Sequence, residues 1–346
     1  MATEPATEHT LEGPAPWEEE GEHEHVHGVG PWRLGLRRLR RNKSALAFGF
    51  VFILLVASCL AAPIWADKVA KTTPEANNLT GQIVVDGERK DVVSLDGIPI
   101  GSTWQQRYFL GADSNGRDVM VRLLYGGRNS LLIGVGAAFI TTLLAVVIGI
   151  VAGYYRGWVD SGVTKALDIV WAFPVLLLGV ALGVALGLGG LKLGPITIPG
   201  DSIAIPMLVI AVVYVPYMAR PLRGQVLSLR EKEFVEAARA QGAGPGRIMF
   251  GELLPNLAST ILVFFTLLVA NAVLLEAALS FLGAGVRAPA TSWGTLINDG
   301  IDRIITAPHL TIVPGLMLVL TVLSLNVFGD GVRDALDPRA KVRIER

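Results

Sequence analysis

A polar segment between two strongly apolar stretches concentrates the residues of this chain that are best suited to recognition. It contains two carboxylates, three small residues and a Leu-Pro pair, namely Glu233, Glu236, Ala237, Ala238, Gly242, Leu254 and Pro255. Carboxylates at the edges of a short helix fix its register on a partner, and alanine side chains allow close approach. The pattern predicts a docking helix that seats in a groove of a soluble protein. The alternative is an amphipathic helix lying on a lipid surface.

Local signals predict where the helices of this segment begin and end. Ser228 and Glu231 have the spacing of a capping box, in which the hydroxyl and the carboxylate each satisfy a free backbone N–H, so a short helix is expected to begin there. Gly242 stands where a left-handed C-terminal cap is needed. Pro245 suits the first turn of a second helix that runs toward Pro255.

Two further polar residues, Asn271 and Glu276, stand in an apolar stretch. A charged side chain costs about 2.5 to 3.5 kcal/mol at the centre of a membrane helix, so a carboxylate there is expected to face a cavity or a partner. Glu276 is expected at the outer end of its span, where the cost is smaller. The alternative is an ordinary helix-end residue paired with Arg287 or Arg303.

No set of residues predicts catalysis or a bound nucleotide. His309 and the scattered serines form no recognisable nucleophile–base pair, and no G-x-x-x-x-G-K-[ST] motif occurs in the chain. We therefore expect no enzyme activity and no cofactor bound by this chain.

Two N-terminal features could carry a metal or a lipid, and each has a plainer interpretation. His23, His25 and His27 alternate with glutamates and could chelate a transition metal. Since no rigid geometry or fourth ligand is evident, we expect a solvated tail and no metal site. The single cysteine, Cys59, follows small residues as in a lipoprotein cleavage box, but the full-length apolar run around it favours an uncleaved membrane anchor.

Composition places the chain in a membrane. It is 51% hydrophobic with a mean hydropathy of +0.50. Six segments are long enough to cross a bilayer: Ala45 to Trp65, Leu131 to Tyr155, Ile169 to Leu191, Ile203 to Ala219, Leu257 to Leu275 and Leu310 to Phe328. Charged residues are nearly absent well inside these spans, which argues against a secondary transporter with coupling-ion sites.

The distribution of Lys and Arg predicts the orientation. Of the 30 basic residues, 19 fall before span one, between spans two and three, between spans four and five, or after span six. The positive-inside rule therefore predicts that both termini and the polar segment are cytoplasmic. The net charge of zero hides this asymmetry, and nothing in the sequence indicates a nucleic-acid partner.

The remaining segments suggest a division of the chain. Residues 1–30 are acidic and poor in large apolar residues, and are expected to form a disordered cytoplasmic tail. Residues 31–66 hold the basic flank and span one, 67–110 an extracytoplasmic insertion, 111–340 the main membrane unit with the polar loop 228–256, and 341–346 a C-terminal tail.

Two parts of the region between spans one and two carry local signals. Alternating polarity around Asp86-Gly87 predicts a β-hairpin in the insertion. Asp113 or Ser114 is expected to cap a separate surface helix that contains Val119, with the side chain of Arg122 directed away from its apolar face.

Four sequence patterns resemble a known family. EFVEAARAQG with the later Leu254-Pro255 resembles the EAA loop of the membrane subunits of binding-protein-dependent ABC transporters. LGADSNGRDV, EAALSFLG with Ser292-Trp293-Gly294, and GDGVRDALDP resemble signatures of the second permease of dipeptide, oligopeptide and nickel systems, and together the patterns cover about residues 108–340.

The resemblance implies an all-α polytopic fold with six transmembrane helices of the MetI-like importer type and a small β-containing insertion between helices 1 and 2. It implies a multi-pass subunit of the cell (inner or plasma) membrane that forms half of a pathway for di- or oligopeptides, with nickel or another small solute as the alternative. The implied partners are a second homologous permease, two ATPase subunits that bind ATP and Mg, an extracytoplasmic substrate-binding protein and membrane lipid. In this setting Glu276 and Asn271 become candidates for the pathway or its gate.

Overall fold

The computed structural model describes residues 31–336, except for the side chains of Pro31, Trp32 and Leu193. The N-terminal tail with its histidine tract and the last ten residues lie outside the described part. Its helices are α1 (Pro31–Arg41), α2 (Lys43–Leu60), α3 (Ala62–Ile64), α4 (Val119–Tyr155), α5 (Gly157–Trp171), α6 (Val175–Gly189), α7 (Ala204–Leu229), α8 (Glu233–Ala240), α9 (Pro245–Arg247), α10 (Leu254–Phe281), α11 (Trp293–Ile301) and α12 (His309–Leu336). Two π-helical turns, Trp65–Ala70 and Ile248–Leu253, extend α3 and join α9 to α10.

Long apolar helices dominate the architecture. Within the described residues, five helices are long and apolar enough to cross a membrane: α2, α4, α7, the continuous Pro245–Phe281 segment and α12. A sixth crossing arises if α5 and α6 are one broken span. This confirms the predicted polytopic all-α fold.

The broken span differs from its prediction. The third span was expected from Ile169 to Leu191, but this region forms two helices: α5 begins earlier, at Gly157, and ends at Trp171, and α6 begins at Val175, with a bend of 86° between them. Pro174 lies in this break and is the N-cap of α6. Its missing N–H and its restriction of the preceding residue disfavour a continuous helix at this point.

The segment before the second span was also interpreted incorrectly. No separate surface helix is capped by Asp113 or Ser114; instead, Val119 begins α4, which continues to Tyr155. The N-cap is Asp118, whose carboxylate accepts a hydrogen bond from the Val121 N–H at 3.1 Å. The predicted cap was therefore wrong in both residue and helix, because Asp118 caps the membrane helix itself.

Small residues allow the helices to pack closely. A Cβ at Gly153 of α4 would lie 2.7 Å from Val226 Cβ of α7, and one at Gly149 would lie 3.0 Å from Leu222 Cβ. Between α4 and α10, a Cβ at Gly134 would lie 2.3 Å from Val273 Cγ2. The core of the molecule is therefore built around α4, which packs on both α7 and α10.

Two small sheets lie outside the long helices. Strands β1 (Gln82–Val85) and β2 (Glu88–Asp91) pair antiparallel around Asp86 and Gly87, whose φ angles are +54° and +84°. Two successive positive φ angles are typical of a type I′ turn, so the predicted hairpin is confirmed. A second hairpin, β3 (Leu191–Leu193) with β4 (Ile196–Ile198), was not predicted.

With α5 and α6 counted as one broken span, successive spans run in opposite directions, so the connections between them lie alternately at the two ends of the molecule. One end, the α8 face, carries α1, α8 and the C-terminal end of α12; the other, the hairpin face, carries β1–β2 and α11. Contacts agree with this sorting: a Cβ at Gly35 of α1 would meet Leu336, while the Ser292 backbone packs against Gly126 near the start of α4.

Candidate functional site

The start of the polar loop differs from its prediction. Ser228 and Glu231 do not form a capping box, because α7 continues through Ser228 to Leu229 and Arg230 is its C-cap. Helix α8 begins at Glu233, after the N-cap Lys232, which makes no side-chain capping bond. In the first turn, the N–H groups of Val235 and Glu236 both donate to the Lys232 backbone carbonyl, at 3.0 and 3.3 Å.

Gly242 ends α8 in the predicted left-handed conformation. Its φ is +80°. The Ala243 N–H donates to the Ala238 carbonyl at 3.0 Å, and the Gly242 N–H donates to the Arg239 carbonyl at 2.9 Å. These two bonds form a Schellman motif, in which the last carbonyls of the helix are satisfied and the chain reverses sharply. Gly244 follows with an extended backbone, and α9 begins at Pro245, as predicted.

Helix α8 has one face in the protein and one face in solvent. Val235 is fully buried in a core cluster with Ile248 and Leu253, and the half-buried Phe234 and Ala238 pack against the same cluster. On the other side, both carboxylates and one alanine of the docking pattern are exposed: Glu233, Glu236 and Ala237. The helix is therefore held rigidly by its apolar face and presents the rest outward.

The Leu-Pro pair joins this loop to the following membrane helix. Leu254 is half-buried against the same core cluster as Val235, whereas Pro255 is exposed in the first turn of α10. A missing N–H is tolerated in a first turn. The π-helical turn and this pair thus connect α8 mechanically to the span that contains Asn271 and Glu276.

Polar contacts hold the start of the polar loop, at Arg230 and Glu231, whereas the carboxylates of α8 are not held in this way. Arg230 donates to the Tyr154 carbonyl at 2.5 Å, and Glu231 forms an ion pair with Arg156 at 3.0 Å. Within residues 31–336, neither Glu233 nor Glu236 forms an ion pair. The two carboxylates of α8 are consequently available to a partner.

Glu276 lies deep inside the chain. Its side chain is 0% exposed, and Oε1 accepts a hydrogen bond from Ser280 Oγ at 2.7 Å. Oε2 is buried without a hydrogen-bond partner among the described residues. The alternative ion pair with Arg287 or Arg303 is not formed among the described residues, and Arg287 donates to the Gly187 carbonyl at 2.8 Å.

Ser280 extends this polar contact to the loop that follows α10. Its Oγ also accepts the Val286 N–H at 3.0 Å, so the carboxyl group, the hydroxyl group and the loop backbone form one chain of hydrogen bonds. Asn271 lies five residues before Glu276 in α10 and is half-buried. Its backbone carbonyl accepts a hydrogen bond from Tyr214 Oη at 3.4 Å.

A charged network at the hairpin face was missed by the sequence analysis. Arg122 is ion-paired with Asp113 and contacts Asp299 Oδ2 at 3.1 Å. Its side chain is only 5% exposed, so the predicted outward direction of Arg122 on a surface helix is wrong. Arg117 bonds the same Asp113 carboxylate at 2.7 Å. This network lines a cavity of about 160 Å³. Asp299 is distant in sequence, so no local pattern could indicate the pairing.

The N-cap Asp118 supports this end of α4. Its carboxylate accepts the Tyr108 N–H at 2.7 Å in addition to the Val121 N–H. Burial raises the pKa of the Asp118 carboxyl group above its ordinary value, and these backbone donors oppose the increase.

Sequence profiles match two parts of the chain. Residues 145–342 match the family described as "Binding-protein-dependent transport system inner membrane component". Residues 30–82 match the "N-terminal TM domain of oligopeptide transport permease C". The first match contains the whole polar loop and Glu276.

Characterised relatives cover nearly the whole chain. The dipeptide transport system permease protein DppC of Alkalihalophilus pseudofirmus is 35% identical over 313 residues, which is 90% of this chain and 91% of the relative. The glutathione transport system permease protein GsiD of Pectobacterium atrosepticum is 33% identical over 311 residues, 90% of this chain and 92% of the relative.

A solved structure supports the fold independently. A chain of the inward-facing MetNI methionine ABC transporter superposes with a TM-score of 0.51 at 19% identity, over 63% of this chain and 97% of that chain. This likeness confirms the predicted MetI-like arrangement of the membrane helices. The profile and the relatives show that this chain belongs to the family of binding-protein-dependent transport system inner membrane components, the permease subunits of ABC importers.

Proposed function

We propose that this permease forms half of an import pathway for di- or oligopeptides and is driven through α8. The observation that carries the proposal is the shape of the polar loop: a short helix with a buried Val235, a glycine-capped end, and exposed Glu233, Glu236 and Ala237. Such a helix transmits force, because its apolar face is packed on the same core cluster as the base of α10.

The partners follow from this role. A separate ATPase dimer that binds ATP and Mg would receive α8, a second homologous permease would complete the pathway, and an extracytoplasmic binding protein would deliver the solute. The family description names dependence on a binding protein. The permease chain itself would carry no catalytic residue and no cofactor.

Peptides are the proposed solute because the relatives named above transport a dipeptide and glutathione, which is itself a short peptide. Nickel or another small solute is the alternative. Purification of the whole transporter with its own binding protein, followed by mass spectrometry of the bound molecule, tests the choice. A peptide is expected; a bound nickel ion or a non-peptide solute would overturn the substrate assignment while leaving the coupling role intact.

The proposed orientation places the α8 face in the cytoplasm. The α8 face carries most of the basic residues, as the positive-inside rule requires of a cytoplasmic surface. The insertion of residues 67–110 with its hairpin would then be extracytoplasmic. The division into tail, first helix, insertion and permease core is part of the same proposal.

Glu276 and Asn271 are proposed to act in the gate rather than as an open wall of the pathway. Burial of Glu276 within its own chain favours this choice, because a wall residue would be exposed in the isolated subunit. The hydrogen-bond chain from Glu276 through Ser280 to Val286 joins the outer end of α10 to the loop at the hairpin face. Movement of α10 would strain or break that chain.

A further inference from the structure

Helix α1 has an unusual distribution of charge. Its 11 residues include five arginines and no acidic residue. At about 100° per residue, Gly35, Leu36 and Leu39 fall on one side of the helix. The opposite side carries the arginines, with Arg33, Arg37, Arg40 and Arg41 forming one arc.

Only part of the apolar side is covered by protein. A Cβ at Gly35 would lie 2.9 Å from Leu336 Cδ2, so α1 packs closely on the end of α12. Leu39 is half-buried, but Leu36 is 53% exposed. An uncovered leucine therefore lies beside the arginine arc.

Four of the five arginines form no ion pair within residues 31–336. Arg33, Arg37, Arg40 and Arg41 are exposed, and none of the four is in an ion pair within the described part of the chain. The acidic residues that α12 carries near this end, Asp330 and Asp334, form no ion pair with them either. Four exposed guanidinium groups without an ion pair in the described part of the chain, next to an exposed apolar side chain, favour a ligand with negative charge and an apolar part.

The chain connection places α1 at the membrane boundary. Only Asn42 separates it from the span α2, and the extended Asn42 backbone (φ −83°, ψ 91°) ends α1 while its side chain caps α2 by accepting the Ala45 N–H at 3.1 Å. Helix α1 must therefore lie where α2 leaves the apolar phase, at the depth of lipid head groups.

We propose that α1 binds the head groups of anionic phospholipids in the leaflet at the α8 face, with the Leu36 side chain at the boundary of the acyl chains. Basic side chains near an anionic leaflet each contribute about 1 kcal/mol of attraction, and an amphipathic helix adds its buried apolar area. The inference rests on the membrane orientation given under the proposed function, but not on the role of α8. An ATPase subunit seated on α1 is the competing occupant.

A fluorescent label at Leu36 tests the proposal. The full-length chain carrying Cys59→Ser and Leu36→Cys, labelled with bimane, is placed in phosphatidylcholine vesicles that contain brominated phosphatidylglycerol or brominated phosphatidylcholine at equal amounts. Quenching is expected to be stronger with the brominated anionic lipid. Arg37→Gln with Arg40→Gln should weaken that preference about tenfold or more.

The matched control removes two exposed basic residues elsewhere on the α8 face, Lys165→Gln with Lys232→Gln, and should keep the preference. Equal quenching by both lipids would overturn the proposal. So would a label that is quenched by neither lipid and changes its emission only when the ATPase subunits are added, because α1 would then be a protein contact. Neither result bears on coupling through α8.

Discussion

At the scale of single residues, Gly242 shows how a backbone requirement becomes a functional one. A Cβ at this position would meet nothing within 4 Å in the chain itself, so bulk is not excluded by internal packing. The restriction comes from φ, which is +80°. Any effect of a larger residue must therefore act through the shape of the turn or through a partner seated on it.

Gly242→Val is expected to leave membrane insertion intact while abolishing binding-protein-stimulated ATP hydrolysis and transport. A non-glycine residue in the left-handed region costs on the order of 1 kcal/mol, and more when it is β-branched, so the end of α8 would be remodelled. The measurement is ATPase activity of the reconstituted transporter. Gly244→Val is the matched control, because Gly244 has an ordinary φ of −73° and also open space around it. Full stimulation in Gly242→Val would contradict the role of this turn.

Glu236→Lys reverses a carboxylate that forms no ion pair within residues 31–336, so the stability of the permease should change little. If α8 docks through its exposed face, ATPase recruitment and stimulated hydrolysis should fall at least about tenfold, because a charge pair at the interface is replaced by repulsion. Co-purification of the ATPase subunits measures this directly. Glu88→Lys, an exposed carboxylate on the hairpin, is the control. Equal recruitment in the two variants would remove α8 from the interface.

Glu276→Gln should preserve assembly, because the amide oxygen still accepts the Ser280 hydroxyl bond. If Glu276 acts in the gate, uptake or its pH dependence should change, since the amide cannot exchange a proton. Uptake is compared between about pH 5 and pH 8. Ser280→Ala, which removes the donor and keeps the carboxyl group, separates the hydrogen bond from proton exchange. Wild-type uptake throughout this range in Glu276→Gln would leave Glu276 a purely structural role.

At the scale of elements, contact between α4 and α10 depends on the absence of a side chain at Gly134. Helices in a membrane lack a hydrophobic force that drives them together, so close van der Waals packing at small residues matters more than in a soluble bundle. The same reasoning applies to α4 and α7 at Gly149 and Gly153. These helices can move relative to one another only as packed surfaces, which suits a pathway that switches between two states.

Gly134→Ala should lower the thermal stability of the permease, because its Cβ would lie 2.3 Å from Val273 Cγ2. Overpacking of this kind costs about 1 to 3 kcal/mol. Adding Val273→Ala to Gly134→Ala should partly restore the thermal stability, since the Val273 Cγ2 atom in conflict is removed. Melting is followed by fluorescence-detected gel filtration, with Gly162→Ala as the control because a Cβ there has open space. Additive losses in the double variant would show that the two residues do not share a contact.

At the scale of the whole molecule, the two faces carry different chemistry. The α8 face holds the basic helix α1 and the docking helix α8, while the hairpin face holds the buried Arg122 network and its cavity. A carboxyl group between them, Glu276, belongs to the same helical segment that begins beside α8. One continuous helical segment, Pro245–Phe281, therefore runs from the α8 face, proposed to receive the ATPase, toward the hairpin face, proposed to receive the binding protein.

The orientation of these faces can be measured with single cysteines in a Cys59→Ser background. Leu95→Cys, beside the hairpin at a fully exposed position, should react with an impermeant maleimide in intact cells. Gly244→Cys, exposed at the end of α8, should react only after the cells are opened. The reverse pattern would invert the proposed topology and remove the cytoplasmic setting of both α8 and α1.

Local chemistry in the sequence determined a large part of this protein. Apolar runs predicted the spans, the Asp86-Gly87 pair predicted the hairpin turn, and Gly242 and Pro245 predicted one helix end and the next helix start, because each depends on backbone preferences of neighbouring residues. The tertiary structure decided what depends on distant residues. It placed Ser228 inside α7 rather than at a cap, buried Arg122 between Asp113 and Asp299, and enclosed Glu276 inside the chain. A side chain's partner across the fold is set by packing, on which local patterns carry no information.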